Sequence, residues 1–237
     1  MSELDIRRSD HTLVVTVQSG DDNLFTMDMI ERLTTAVTEA RDDDSLRFVL
    51  IRATGAAFCL GRTRDAKTPA GLRAEARRIV GLNEALRASP LTIVAEVHGD
   101  AAGFGAGVVA ACDVAVAAHH ARFWFPEVRG GLAPTVVISW LARAVPYKTA
   151  FGMVSGGEAI GAEEAVRWGL VTEAAPAEGL RRRVSERIER LAEMSPAALR
   201  ETKEFFAATR TMDPIAASAA SVDALALSAL RVAAEST

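Results

Sequence analysis

HGDAAGFGAGVVAACDVAVAAHHARFWFPEVRGGLAP, residues His98 to Pro134, is the stretch whose reading decides the fold. It follows a β-branched run, LTIVAEVHG (Leu91–Gly99), that reads as a buried strand. The glycine-rich turn ends that strand and opens a helix of small residues at about Gly103. DVAVAA and ARFWF are two more short strands, and Glu127 arrives after an aromatic run and a proline. In such apolar company a carboxylate loses hydration, and its pKa rises toward a value useful for proton transfer near neutral pH.

The same alternation extends upstream. LVVTV (Leu13–Val17) reads as a strand, Met27–Ala40 as a helix by its apolar spacing, and Arg47–Gly55 as a buried strand. A first glycine turn, FCLGRT (Phe58–Thr63), leads through a polar loop to a helix over Gly71–Ala88, which Ser89-Pro90 stops. Strands alternating with helices favour parallel pairing with helical crossovers, an α/β fold. From Thr135 onward helices dominate, among them Glu178–Glu193, Pro196–Thr209 and Pro214–Val232. Pro176 and Gly179 interrupt the pattern, so we divide the chain into a core over residues 1–180 and a helical region over 181–237.

Composition narrows the function. At 237 residues, 49% apolar and 24% charged, the chain has an ordinary globular make-up. A net charge of -4 lacks the basic footprint of nucleic-acid binding, so no such partner is expected. Cys59 and Cys112 lie in apolar runs and do not make a disulfide framework. The N-terminus has no apolar signal core and no run approaches a membrane span, so the expectation is a soluble cytoplasmic protein without a membrane partner.

Several chemistries find little support. His11, His98, His119 and His120 show no metal-ligand spacing, and no metal is expected. There is no GxSxG elbow for a serine hydrolase. Cys59 has no histidine in a recognisable partner motif. GFGAG (Gly103–Gly107) is weak evidence for a dinucleotide turn, because Val108 stands where a third glycine would. Close helix packing is the plainer reading of Gly107 and Ala110. FCLGRT taken alone reads as a strand-to-loop turn with a buried cysteine. Glu127 could be a surface residue paired with Arg129, and Arg181–Arg183 with Glu186 and Glu189 a solvated helix face. The two glycine turns nevertheless expose backbone N–H groups of the kind that stabilise an oxyanion.

In this order, FCLGRT, HGDAAGFGAGVVAACDVAVAA, FPEVRGGLAP and GAEEAVRWGLVTEAAP resemble the crotonase superfamily, the enoyl-CoA hydratase/isomerase group. The resemblance covers nearly the whole chain, beginning with LVVTVQ and a degenerate DDNLF. It implies a spiral of ββα turns and a C-terminal helical region that trimerises, giving a homotrimer or homohexamer. It also implies an acyl-CoA thioester substrate, with coenzyme A as part of the substrate and no other cofactor, in a fatty acid metabolism setting. By motif position the backbone N–H groups of Arg62 and Phe104 would form the oxyanion hole, and Glu127 would transfer the proton. Leu60, Gly61, Thr63, Arg64, Asp65 and Gly103 would line the substrate, and Arg62, Arg64 or Lys67 would meet CoA phosphates.

Three departures refine the expectation. The first of the two glutamates of a typical hydratase is Gly107 here, which leaves Glu127 as the single proton-transfer carboxylate, the isomerase pattern. Thr63 replaces the usual acid after the first turn, and no basic residue precedes Asn23. Hydration of a 2-enoyl-CoA and double-bond isomerisation both stay open at this point. Thioester hydrolysis or decarboxylation on the same fold, or a catalytically weak acyl-CoA-binding scaffold, are the alternatives. If a side chain at 107 faces the reacting β-carbon, Gly107→Glu would restore the second carboxylate.

Overall fold

The computed structural model describes residues 3–235. A six-stranded sheet has the order β1 (Glu3–Ser9), β2 (Thr12–Gln18), β3 (Phe48–Ala53), β4 (Thr92–Val97), β6 (Val114–Ala118), β9 (Glu173–Ala175). Only the β1–β2 pair is antiparallel. A small second sheet joins β5 (Ala101–Ala102), β7 (Arg122–Trp124) and β8 (Ile160–Gly161). The crossovers are α1 (Met27–Glu39), α2 (Pro69–Ala88) and α3 (Phe104–Ala111). Then come α4 (Thr135–Ala144), α5 (Tyr147–Gly156), α6 (Ala162–Arg167), α7 (Leu180–Ala192), α8 (Pro196–Thr209) and α9 (Pro214–Glu235).

The central strands are largely apolar because both faces are covered, with Arg52 on β3 and the buried Glu96 on β4 as exceptions. On β4, Ile93, Ala95 and Val97 join the main core, while Val94 packs on the other face with Leu180 and Val184 of α7. Helices start where the sequence supplies caps. Thr26 Oγ1 accepts from the Met29 N–H, and Thr68 Oγ1 from the Gly71 N–H with Pro69 following. The fold adds β1, which has only Leu4 buried and so carries no alternating apolar signal. It is held by its ladder to β2, and charges on its exposed face suit an edge strand.

Arg183, read from sequence as part of a solvated face, instead ties α7 to the sheet through an ion pair with Glu173. Contacts divide the chain into two compact units, one through Ile188 and one from Glu189, and helix α7 runs unbroken across residue 181. In the second unit, Glu201 of α8 accepts from Ser228 Oγ at 2.7 Å and Arg231 Nε at 2.8 Å of α9. Contrary to the sequence expectation, α9 is long and apolar enough to cross a membrane by length and composition. Its alanines, interspersed with leucine and valine, raise its hydropathy without any long run of large apolar residues.

Candidate active site

The first glycine turn is sandwiched between two segments. Asn23, at φ +46°, is fully buried; its side chain accepts from the Ser19 N–H at 2.8 Å and donates to the carbonyls of Thr54 and Ala57. That clamp presents Phe25, which bridges to Arg62. The Phe25 N–H donates to the Gly61 carbonyl at 3.1 Å, and the Thr63 N–H donates to the Phe25 carbonyl at 2.9 Å. In this parallel pattern the N–H of Arg62 itself points to the opposite side. There Cys59 pairs with Ala101, its carbonyl accepting from the Ala102 N–H at 2.9 Å. Arg62's amide therefore faces the second glycine turn.

That turn is shaped by glycines for two separate reasons. Gly103 has φ +51°, a conformation that L side chains rarely adopt, and it swings the chain into α3. Phe104 is the first residue of α3, so its N–H has no intrahelical acceptor. Gly105 allows close approach: a Cβ there would lie 2.1 Å from the Cys59 carbonyl oxygen. The two turns are thus pressed backbone to backbone.

Glu127 sits in a short 3-10 helix, Pro126–Gly130, and its carboxylate lies on Gly103; a Cβ at 103 would be 2.5 Å from Oε1. Oε2 is buried with no hydrogen-bond partner among the described residues. Burial pushes the Glu127 carboxyl above the ordinary glutamate range, while its own backbone N–H and the positive charge of Arg64 pull the other way. Arg129 donates instead to the Gly156 carbonyl at 3.4 Å and makes no ion pair with Glu127 among the described residues. Arg64 and Asp65 are exposed beside Leu60, Gly61 and Thr63, which are half-buried. Cys59 is wholly buried and its thiol is pushed up to about 12, which makes it inert as a nucleophile.

Two sequence expectations change. Arg62 is one of three candidates for a CoA phosphate, and its Nη1 is already engaged, donating to Glu75 Oε2 at 2.9 Å and to the Thr63 carbonyl at 2.9 Å. Position 107 does not open onto free space. A Cβ there would meet Trp140 Cε3 at 2.9 Å and Val137 Cγ1 at 3.0 Å. Phe104 packs between Phe25 and Trp140, at centroid distances of 5.2 and 6.0 Å. An indole and a valine on α4 thus fill the place to which a glutamate at 107 would point, and no sequence pattern announces them.

Glu75 is a further residue of the site that the sequence motifs do not single out. A signal exists: Glu75, Ile79, Leu82 and Leu86 form one buried helical stripe, and a glutamate on such a stripe asks for partners.

Two glycine turns pressed backbone to backbone, with the Glu127 carboxylate against Gly103, make a candidate proton-transfer site on an α/β fold. Residues 8–228 match the family model for enoyl-CoA hydratase/isomerase, and the chain belongs to that family. A probable enoyl-CoA hydratase of Rhodobacter capsulatus is 37% identical over 158 residues, 65% of this chain and 61% of that protein. A trans-2-decenoyl-[acyl-carrier-protein] isomerase of Streptococcus mutans is 30% identical over 190 residues, 77% of this chain and 72% of that protein. A solved enoyl-CoA hydratase of Mycobacterium smegmatis superposes with a TM-score of 0.91 at 27% identity, covering 95% of this chain and 90% of that one. Such structural neighbours place the fold in the crotonase superfamily. The chain spans just over half the length of the curated relatives it matches first, between 52% and 61%.

Proposed function

We propose that this chain isomerises the double bond of an enoyl-CoA thioester, with Glu127 as the single proton shuttle. The observation that carries the reading is the filled space at 107: the second carboxylate is missing and Trp140 and Val137 occupy its direction. Hydration needs a water held and a proton moved on the same face. Isomerisation needs one base.

In the proposed reaction a 3-enoyl thioester binds with its carbonyl oxygen between the N–H groups of Arg62 and Phe104. Glu127 removes the proton from the carbon next to the carbonyl, and the electron pair moves onto oxygen to give a dienolate. Protonated Glu127 returns the proton to C4, leaving the conjugated 2-enoyl thioester and a carboxylate. Two backbone donors stabilise the negative charge, each typically worth roughly 3 kcal/mol in the transition state. Coenzyme A enters only as part of the substrate, and the reaction requires no metal or redox cofactor. Arg64 and Lys67, both exposed beyond the first turn, are the proposed contacts for its phosphates. The setting is cytoplasmic acyl-thioester metabolism.

A panel of 3-enoyl- and 2-enoyl-CoA thioesters tests this. Conjugated-thioester absorbance rises with 3-enoyl substrates and stays flat with 2-enoyl ones. Faster loss of absorbance from 2-enoyl-CoA would replace isomerisation by hydration. Burial raises the Glu127 pKa and the base works only when ionised, so kcat/KM falls as pH drops through a value above the ordinary glutamate range. A pH-independent rate down to pH 4 would remove Glu127 from the reaction.

Assembly into a homotrimer or homohexamer is part of the proposal. Its support is the exposed apolar surface of α9, where Ile215, Val222, Leu225, Leu227 and Leu230 all lie open in the single chain. Light scattering in detergent-free buffer should return three or six times the chain mass; a monomer at micromolar concentration would contradict it.

A further inference from the structure

We infer that Glu75 is a positioning residue for the thioester site, holding in place the loop that carries the Arg62 amide. The inference rests on the reading of that amide as an oxyanion donor. Glu75 lies in the second turn of α2 and is only 5% exposed. Its Oε2 accepts from Arg62 Nη1 at 2.9 Å. Its Oε1 accepts from the backbone N–H groups of Ala66 at 2.7 Å and Asp65 at 3.2 Å. One carboxylate therefore grips both the side chain of residue 62 and the backbone three and four residues beyond it.

The loop needs that grip. After the Thr63–Phe25 hydrogen bond, no helix or strand begins until Pro69. Upstream, Gly61 has φ +143° and offers little conformational restraint of its own. The Arg62 amide thus lies between two ladder bonds to Phe25, at the start of a loop that has no ladder or helix bonds beyond Thr63 until Pro69. Buried ion pairs add little net stability compared with apolar packing, so a leucine at 75 would serve the core as well. What a leucine could not do is satisfy the Asp65 and Ala66 donors and fix the Arg62 side chain at once. Burial alone would raise the Glu75 carboxyl, yet the Ala66 N–H, the Arg62 guanidinium and the Asp65 N–H bring it below the ordinary range. It is ionised whenever the site operates.

Misplacing a group by about an ångström costs up to about 100-fold in rate, and loss of one oxyanion donor costs about 100- to 1,000-fold. Glu75→Gln keeps the size and one acceptor but loses the charge that holds Arg62. It should lower kcat for 3-enoyl-CoA isomerisation by about 10- to 100-fold with KM changed less than threefold. The direct readout is the carbonyl stretch of bound hexanoyl-CoA labelled with carbon-13 at the thioester carbon. In the parent protein the stretch moves to lower wavenumber on binding, and in Glu75→Gln most of that shift is lost. Should Glu75→Gln fail to fold, Glu75→Asp carries the test: it keeps the charge, withdraws it by one methylene, and should show an intermediate shift.

A parent shift retained in full by the folded variants, with kcat within threefold, overturns the role of Glu75. A parent protein that binds hexanoyl-CoA without any shift overturns the oxyanion reading itself, and the inference with it.

Discussion

Glu127→Gln should lower the proposed isomerisation by about 100- to 10,000-fold, the usual contribution of a general acid–base group. The swap is nearly isosteric, so the carboxamide still fits against Gly103, where Oε1 now lies. It deletes the ionisable group that the proposed reaction uses to take and return the proton. The same substitution should leave stability unchanged or raise it at neutral pH. Burial raises the folded-state pKa of Glu127, so folding favours the protonated form. That contribution is fully present below the unfolded pKa and is lost as pH rises through the folded one. Above that window the native state holds a desolvated carboxylate whose Oε2 lacks a hydrogen-bond partner among the described residues, and glutamine removes its charge. Single-turnover rates and thermal melts at pH 4 and pH 8 check both halves. Activity within a few-fold of the parent would move the base elsewhere, and a large drop in melting temperature at pH 8 would mean the ionised form is stabilising.

Gly107→Glu is expected to damage the fold rather than add hydratase activity. Its Cβ alone would press on Trp140 and Val137, and Trp140 is only 2% exposed and has no open side to retreat to. Overpacking of this kind costs about 1–3 kcal/mol, and burying a carboxyl among apolar groups adds a comparable amount or more. A total of roughly 3 kcal/mol or more lowers the melting temperature of a chain this size by about 6–12 °C. Gly107→Ala should show the first part of that loss without the second. A Gly107→Glu protein that melts like the parent and hydrates 2-enoyl-CoA would show that Trp140 yields easily, and the isomerase reading would lose its main support.

Much of this site is legible in the amino-acid sequence. Glu127 stands out because an acid after an aromatic run and a proline is chemically unusual, and Gly103 because a strand-to-helix turn needs a permissive backbone. The parallel core is legible because strands covered on both faces read as nearly continuous apolar runs. β1 is not, since an edge strand with one buried leucine has no period to detect. The span-length apolar character of α9 is hidden because the helix is rich in alanine rather than in long apolar side chains.

The sequence by itself determined the α/β alternation and the family, and it singled out Glu127 as the candidate acid, because each of these rests on local pattern or on motif order. Only the tertiary structure decided which side chains meet around the two glycine turns. Residues 75, 62 and 66 meet because α2 folds back over the first turn, and residues 107, 137 and 140 meet because α4 packs on α3. Such contacts are set by the three-dimensional path of the chain, and nothing in the spacing of one segment records what another segment will bring against it.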